Sequence, residues 1–398
     1  MEIDPTAKLQ DIRIDGTVPP IAKPFRADSL LNIPPRRFVQ DKLFQRGQVT
    51  CLAGSGGAGK STFQLISKVA QVTGTNLLGF KVYEPGPCWY IHGEDDTVEV
   101  MRRLKAICSH FNIDPAALEN KLWLSCVDDT PFALLETDGD GTFAIDSIVD
   151  DIIKTIERHK FLITTLDPWG DFFGGRENDT ESMRLGGTTL NRIARQTDSA
   201  VVVLHHVRKG ANGADVDAIR GGKSFTDKLR NNLMLVPMTD ADGDLLGVEK
   251  NETAHFLSLV SVKANYVPPA TDGHWFQRQS VNLHNSDGLY PDDMLGVLAP
   301  HTFEAAFEKL TTGTIREILD AVDARPENDL FSQRMQERER WLGTEIMRTT
   351  GKSKGHAKTI IRAWLDSGLL REVEFQNSNW KLRKGIKSDR TKMPGGAF

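Results

Sequence analysis

Two hydrophobic rhythms alternate along the chain. The short segments "QVTCLAG", "PCWYIHGE", "FLITTLD" and "SAVVVLHHV" are apolar almost throughout. Between them lie "KSTFQLISKVAQVTG", "DTVEVMRRLKAICSHF", "IDSIVDDIIKTIERH" and "TTLNRIARQTD", whose apolar residues recur at helical spacing. A strand without polar alternation is covered on both faces, so strands of this kind alternating with helices predict an α/β fold with a mostly parallel sheet between helical layers. Gly74 reads as the C-cap of the first helix, and Asp96 or Thr97 as the N-cap of the second. "NNLMLVPM", "HFLSLVSVKANY" and "HWFQRQSVNL" follow closely, separated by turn residues, and predict an antiparallel extension of the sheet.

The rhythm changes after residue 311. "TIREILDAV" predicts a short helix, and the charged "ENDLFSQRMQERER" a linker or exposed helix. "WLGTEIMRTT", "GKSKGHAKTIIRAWLDSG" and "LLREVEF" with "NWKLRK" then predict helix, turn, helix and two strands, the order of a winged helix-turn-helix domain. The division expected is a polar, proline-rich N-terminal arm (1–35), a core (36–290), a linker with helices (291–340) and a small basic domain (341–398).

Composition adds an asymmetry. The 398 residues carry a net charge of −5, but residues 341–398 hold 12 Lys and Arg against 5 Asp and Glu, a net +7, leaving −12 on the remainder. A basic end on an acidic body suggests contact with an anion, nucleic acid above all, or else a solvated tail. No apolar run approaches the roughly 20 residues of a membrane helix. The acidic, polar "MEIDPTAKLQDIRIDG" does not read as a signal peptide. Cys51, Cys88, Cys108 and Cys126 are scattered, without metal or disulfide spacing, as expected of reduced thiols in a cytoplasmic protein.

The sharpest chemical signal is "GSGGAGKS", Gly54 to Ser61, which satisfies G-x-x-x-x-G-K-[ST] between a predicted strand and a predicted helix. Gly54, Ser55, Gly56, Gly57, Ala58 and Gly59 would turn backbone N–H groups around the phosphates of ATP, with the helix dipole behind them. Lys60 would reach the terminal phosphates, Ser61 would hold Mg²⁺, and Thr62 follows at the helix start. Asp167 ends an apolar strand, where a carboxylate points into the ligand crevice, and is assigned to the magnesium shell. Glu94 ends another and is the candidate base that activates the attacking water; the other reading is a helix-capping carboxylate with Asp95 and Asp96.

Taken in order, these motifs resemble the RecA/DnaB-type ATPases, and within them the RepA-like hexameric replicative helicases of plasmids and phages. The resemblance covers about residues 33–270 and rests on "PPRRFVQDKLFQRGQVTCLAGSGGAGKS", "YIHGEDDTVEVMRRL", "LITTLDPWGDF", "VVVLHHVRKG", "RGGKSFTDKLRN" and "VKANY". It implies a RecA-like P-loop NTPase core with Glu94 as catalytic glutamate and Asp167 at the magnesium site. It also implies that His206 senses the γ-phosphate, that Arg230 is an arginine finger reaching a neighbouring subunit, and that Lys263 is its companion cation. Arg220 competes with Arg230 for the finger. The other readings are a strand-end polar pair for His205 and His206, and surface charges for Arg230 and Lys263. A finger supplied in trans implies a homo-oligomer, expected to be a hexamer.

Two loops after strand ends, 171–183 and 207–224, would line a channel for single-stranded DNA. The second carries Arg208, Lys209, Arg220 and Lys223. The first is more acidic than basic, which weakens its case, and both read equally as ordinary active-site loops. The chain departs from the simplest family members by about a hundred added residues. Their helix is expected to present Lys352, Lys354, His356, Lys358 and Arg362, with Ile361, Trp364 and Leu365 on the opposite side. With the wing cations Lys381, Arg383, Lys384 and Lys387 it could dock on duplex DNA. The function expected is an ATP-hydrolysing, ring-forming DNA helicase. The alternatives are a DNA-binding ATPase that loads or regulates a replisome without unwinding, and a regulatory RecA- or KaiC-like ATPase with no nucleic-acid role.

Overall fold

The computed structural model describes residues 25–393 apart from 32, 140, 177–178, 209–218, 220–221, 265–273 and 305. The predicted rhythm becomes one nine-stranded sheet. Its strands are β1 (Val49–Gly54), β2 (Cys88–His92), β3 (Leu122–Cys126), β4 (Ile163–Asp167), β5 (Ala200–His206), β6 (Asn231–Pro237), β7 (Phe256–Ala264), β8 (His274–Asn282) and β9 (Met294–His301). They lie in the order β9-β8-β7-β6-β1-β5-β4-β2-β3. β6, β1, β5, β4, β2 and β3 are mutually parallel; β7, β8 and β9 are antiparallel.

The core helices are α1 (Lys60–Thr73), α2 (Thr97–Phe111), α3 (Asp146–His159), α4 (Trp169–Phe173), α5 (Thr180–Thr197), α6 (Gly222–Thr226) and α7 (Asp240–Leu246). α1 ends at Gly74 in the left-handed conformation, and the Asp96 carboxylate caps α2 by accepting the Glu99 N–H at 2.7 Å. Two apolar layers account for the unbroken strands. Val202 and Leu204 of β5 pack with Phe63 and Ile66 of α1, while Val201 and Val203, on the other face, pack with Met183 and Leu190 of α5.

Three sequence expectations need correction. "NNLMLVPM" is not antiparallel: β6 pairs parallel with β1, Leu235 opposite Gly54, and the antiparallel extension starts at β7. The sheet also runs past residue 290, because β9 pairs with β8 and buries Val297 and Leu298. The loop expected over 171–183 is partly helical, since α4 includes residues 171–173 and α5 begins at Thr180 behind an Asp179 cap.

The C-terminal residues form α8 (Thr312–Asp323), α9 (Leu342–Thr350), α10 (Lys354–Asp366) and the antiparallel hairpin β10 (Leu370–Gln376) and β11 (Leu382–Ser388). Ile318, Leu342, Ile346, Ile360, Trp364 and Ile386 share their core. The stretch "ENDLFSQRMQERER" is neither exposed helix nor open linker. It folds back in turns over buried Leu330 and Phe331, with Ser332 bridging Trp341 and the Arg325 guanidinium 4.3 Å from the Phe331 ring centre.

The basic face of α10 is the largest departure. Its first turn is seated on α7. Lys358 Nζ lies 2.7 Å from Asp244 Oδ1, the Lys352 side chain is 5% exposed and lies 3.5 Å from Glu304, and His356 is buried. A Cβ on Gly355 would meet the Asp244 carbonyl oxygen and Gly247 Cα at 2.9 Å. Backbone meets backbone there, so glycine is what allows the approach. Lys354 is half-buried, and of the cations expected on this helix only Arg362 is exposed. Ile361 and Trp364 face the core as expected, with Leu365 packed at its margin. Among the described residues no helix is long and apolar enough to cross a membrane.

Candidate nucleotide site

Register assembles the site. Gly54 pairs with His206 and His92 with Asp167, so β1, β5, β4 and β2 deliver their carboxyl ends to one edge. The sharp turn from β1 into α1 is made by Gly57 at φ +70° and Gly59 at φ +92°, values in the left-handed region. Gly59 is the N-cap of α1 and offers no side chain, which leaves the first N–H groups of a 14-residue helix to bind an anion. The edge opens into a cleft of about 550 Å³ lined by Gly56, Gly57, Gly59, Lys60, Ser61 and Thr62 on one side and by Glu94, Asp167 and His206 on another.

Lys60 is buried and its Nζ donates to the carbonyls of Gly54 and Ser55, both at 3.1 Å. Burial lowers its pKa, and the Asp167 and Glu94 carboxylates oppose that shift. Its Nζ also lies 3.5 Å from His206 Nδ1, and His206 Nε2 lies 3.2 Å from Glu94 Oε1. A continuous polar chain thus runs from the phosphate loop to the candidate base. Asp167 is almost fully buried and accepts hydrogen bonds from the hydroxyls of Tyr90 and Ser61. Burial raises its pKa; those hydroxyls and Lys60 oppose the shift, and nearby Glu94 reinforces it.

Glu94 is not the cap of α2. Asp96 caps α2, and Asp95 is held 3.0 Å from Arg103, while Glu94 faces the cleft. The other sequence-predicted residues lie elsewhere. Arg230 immediately precedes β6 and Lys263 lies on β7 opposite Asn232, so both belong to the end of the sheet away from the phosphate loop of their own chain. Arg208 is exposed just beyond β5. Lys209 and Arg220 fall outside the described residues, as does the side chain of Lys223.

Sequence reasoning missed two walls of the cleft. Arg278 of β8 reaches back to donate to the Gly57 carbonyl at 3.1 Å, and Met294–Leu298 of β9 line the side beyond Gly59. Only the parity of β8 residues could have pointed to Arg278, and parity does not say which neighbour a strand has. Tyr90 was legible in principle, two residues before His92 on the same face of β2.

A family model describes what this geometry suggests. Residues 21–212 match the AAA domain. The match takes in β1 to β5 and every residue of the Lys60–His206–Glu94 chain, and it supports a nucleotide-hydrolysing P-loop ATPase that uses ATP and Mg²⁺. The donor set fits such a ligand. Among the described residues no three His, Cys, Asp or Glu gather to hold a metal by themselves. One hydroxyl and one buried carboxylate beside an open helix N-terminus suit a magnesium ion that arrives with phosphate. Beyond residue 212 the sheet continues with β6, which flanks β1 directly.

Proposed function

We propose that the chain is an ATP-driven, ring-forming DNA motor of the RepA-like replicative helicase type. The observation that carries this reading is the hydrogen-bonded chain from Lys60 through His206 to Glu94, which joins the phosphate loop, a central strand end and a candidate base. Lys60 exchanges its carbonyl partners for phosphate oxygens. Glu94 accepts a proton from the attacking water, and His206 holds that carboxylate in place. Mg²⁺, held by Ser61 and Asp167, would neutralise phosphate charge. Because His206 ends β5 and Arg208 follows it, a change at the phosphates has a short covalent path to the basic residues that follow the strand, the first of them Arg208. Arg230 and Lys263, at the far end of the sheet, suit a role on a neighbouring subunit's nucleotide and hence a homo-oligomer, a hexamer in this reading.

The test is ATP turnover with and without single-stranded DNA, for wild type and Glu94→Gln. DNA-stimulated turnover, reduced at least a hundredfold in Glu94→Gln with ATP binding retained, is expected. Turnover indifferent to single-stranded DNA would overturn the motor and leave the second reading, an ATPase that loads or regulates a replisome without unwinding. The seating of α10 on α7 favours that second reading, because it commits the C-terminal winged-helix-like unit to the core.

A further inference from the structure

The tip of the β10–β11 hairpin is built around one exposed aromatic residue. Asn377 organises the turn: its backbone N–H donates to the Lys381 carbonyl, and its Oδ1 accepts the N–H groups of Asn379 and Lys381 at 3.1 and 2.9 Å. Trp380 is thereby held at φ +58°, in the left-handed region that bulky side chains avoid. Trp380 is 83% exposed, and Leu382 beside it is 65% exposed. Among the described residues the ring stacks on nothing. A strained backbone that presents a large apolar ring to water costs stability without any return inside the chain.

The charge around the ring indicates what would cover it. Residues 376–383, "QNSNWKLR", contain two cations and no carboxylate. Three nearby cations of the unit are answered: Lys384 by Glu372 at 2.8 Å, Lys387 by Glu327 at 3.1 Å, and Arg390 by Asp320 and Asp323. Lys381 and Arg383 have no carboxylate partner among the described residues. The hollow on the Arg383 side holds Asp329 and Glu337, paired with Arg325 and Arg340, and also Glu339, whose carboxylate would repel a phosphate, so the open approach is across Trp380 and Lys381.

An exposed indole flanked by unanswered cations matches the chemistry of an unpaired base with its phosphates, in which the base stacks on the ring and the cations meet the backbone. We infer that the hairpin tip, and not the seated face of α10, is where the C-terminal unit binds single-stranded nucleic acid, with Trp380 as the stacking platform and Lys381 and Arg383 as phosphate contacts. The site stands apart from the channel of the proposed motor and needs no nucleotide.

The experiment is fluorescence anisotropy of labelled oligo-dT with the full chain, without ATP, at two salt concentrations. Trp380→Ala is expected to weaken binding about tenfold and Trp380→Phe to restore most of it. Lys381→Glu with Arg383→Glu is expected to flatten the salt dependence by more than one unit of slope. ATP turnover without DNA should stay unchanged in all three, which shows that they fold. Wild-type affinity in Trp380→Ala, or an equal loss on a blunt duplex, would overturn the inference; the second result would make the tip a general electrostatic contact. Loss of DNA-stimulated turnover in Glu94→Gln reports on the motor, so the two readings fail separately.

Discussion

The carboxyl edge of the parallel sheet and the helix–hairpin unit after it both gather charge, with opposite results. At the edge, Lys60, Asp167, Glu94 and His206 arrive on separate elements and converge on one space. Lys60 and Asp167 are buried there, and desolvation is the largest influence on both, lowering the pKa of the ammonium and raising that of the carboxyl. In the C-terminal unit Lys358, Lys384, Lys387 and Arg390 are each met by a carboxylate near the surface. Buried charges that converge on an open cleft mark a place waiting for a ligand, whereas exposed pairs mark a surface already neutralised. Abundance of charge therefore says little about function; what matters is whether the fold leaves that charge unanswered.

The comparison breaks most visibly at Asp167. Asp167→Asn is expected to reduce ATP turnover by about 10²–10³-fold, the cost of removing one preorganised charge from such a site. The ligand-free protein is expected to melt higher. The sign follows from the raised pKa: the folded state disfavours ionised Asp167, so its penalty is absent well below the usual carboxylate range and full at neutral pH. The gain in melting temperature should grow as pH rises from 4 to 7, read by differential scanning fluorimetry. A variant that loses both activity and stability would mean that Asp167 is structural.

Lys68 sharpens the point from inside the core. It is fully buried on α1, its Nζ lies 3.0 Å from Gln64 Oε1 and 5.5 Å from the Phe44 ring centre, and burial pushes its pKa down to about 8. It touches no phosphate, so its unanswered charge is cost alone. Lys68→Met is expected to stabilise the fold by up to about 3 kcal/mol at pH 7. Because the folded pKa is depressed, wild-type stability rises with pH between about 8 and the unfolded value of 10.5, so the advantage of Met should shrink in urea melts at pH 9.5. An advantage that grew with pH would contradict the assignment.

How much of this was legible in the sequence depends on how local each rule is. The phosphate loop, the cap at Asp96 and the strand-end carboxylates were readable because a few consecutive residues dictate their backbone, and parallel register then brings strand ends together. β6 was misread because an apolar run says nothing about direction, and its parallel pairing depends on β1, some 180 residues earlier in the chain. Arg278 and β9 join the cleft only through the antiparallel return of the sheet. The basic spacing of α10 was real, but α7 and Glu304, which neutralise it, are invisible to any local pattern.

Steric fit and charge can be separated at that last contact. Gly355→Val places a side chain where backbone already stands, with no flexible group to yield, and is expected to cost about 1–3 kcal/mol. It should expose the chain between β9 and α8 to limited proteolysis at protease concentrations that leave wild type intact. A variant as resistant as wild type would show that α10 is not seated through this contact.

Asp244→Ala removes the partner of Lys358 from the same contact and should do far less. The pair is well formed at 2.7 Å, but its side chains are 37% and 61% exposed, so water and salt screen most of the attraction. The expected loss is under about 1 kcal/mol, and it should vanish in 0.5 M salt, whereas the Gly355→Val defect should persist. If Asp244→Ala instead released the unit as fully as Gly355→Val, the seat would be electrostatic. The cations of α10 could then be freed by competition from a phosphate backbone, and the contrast between a neutralised surface and a waiting site would collapse at that helix.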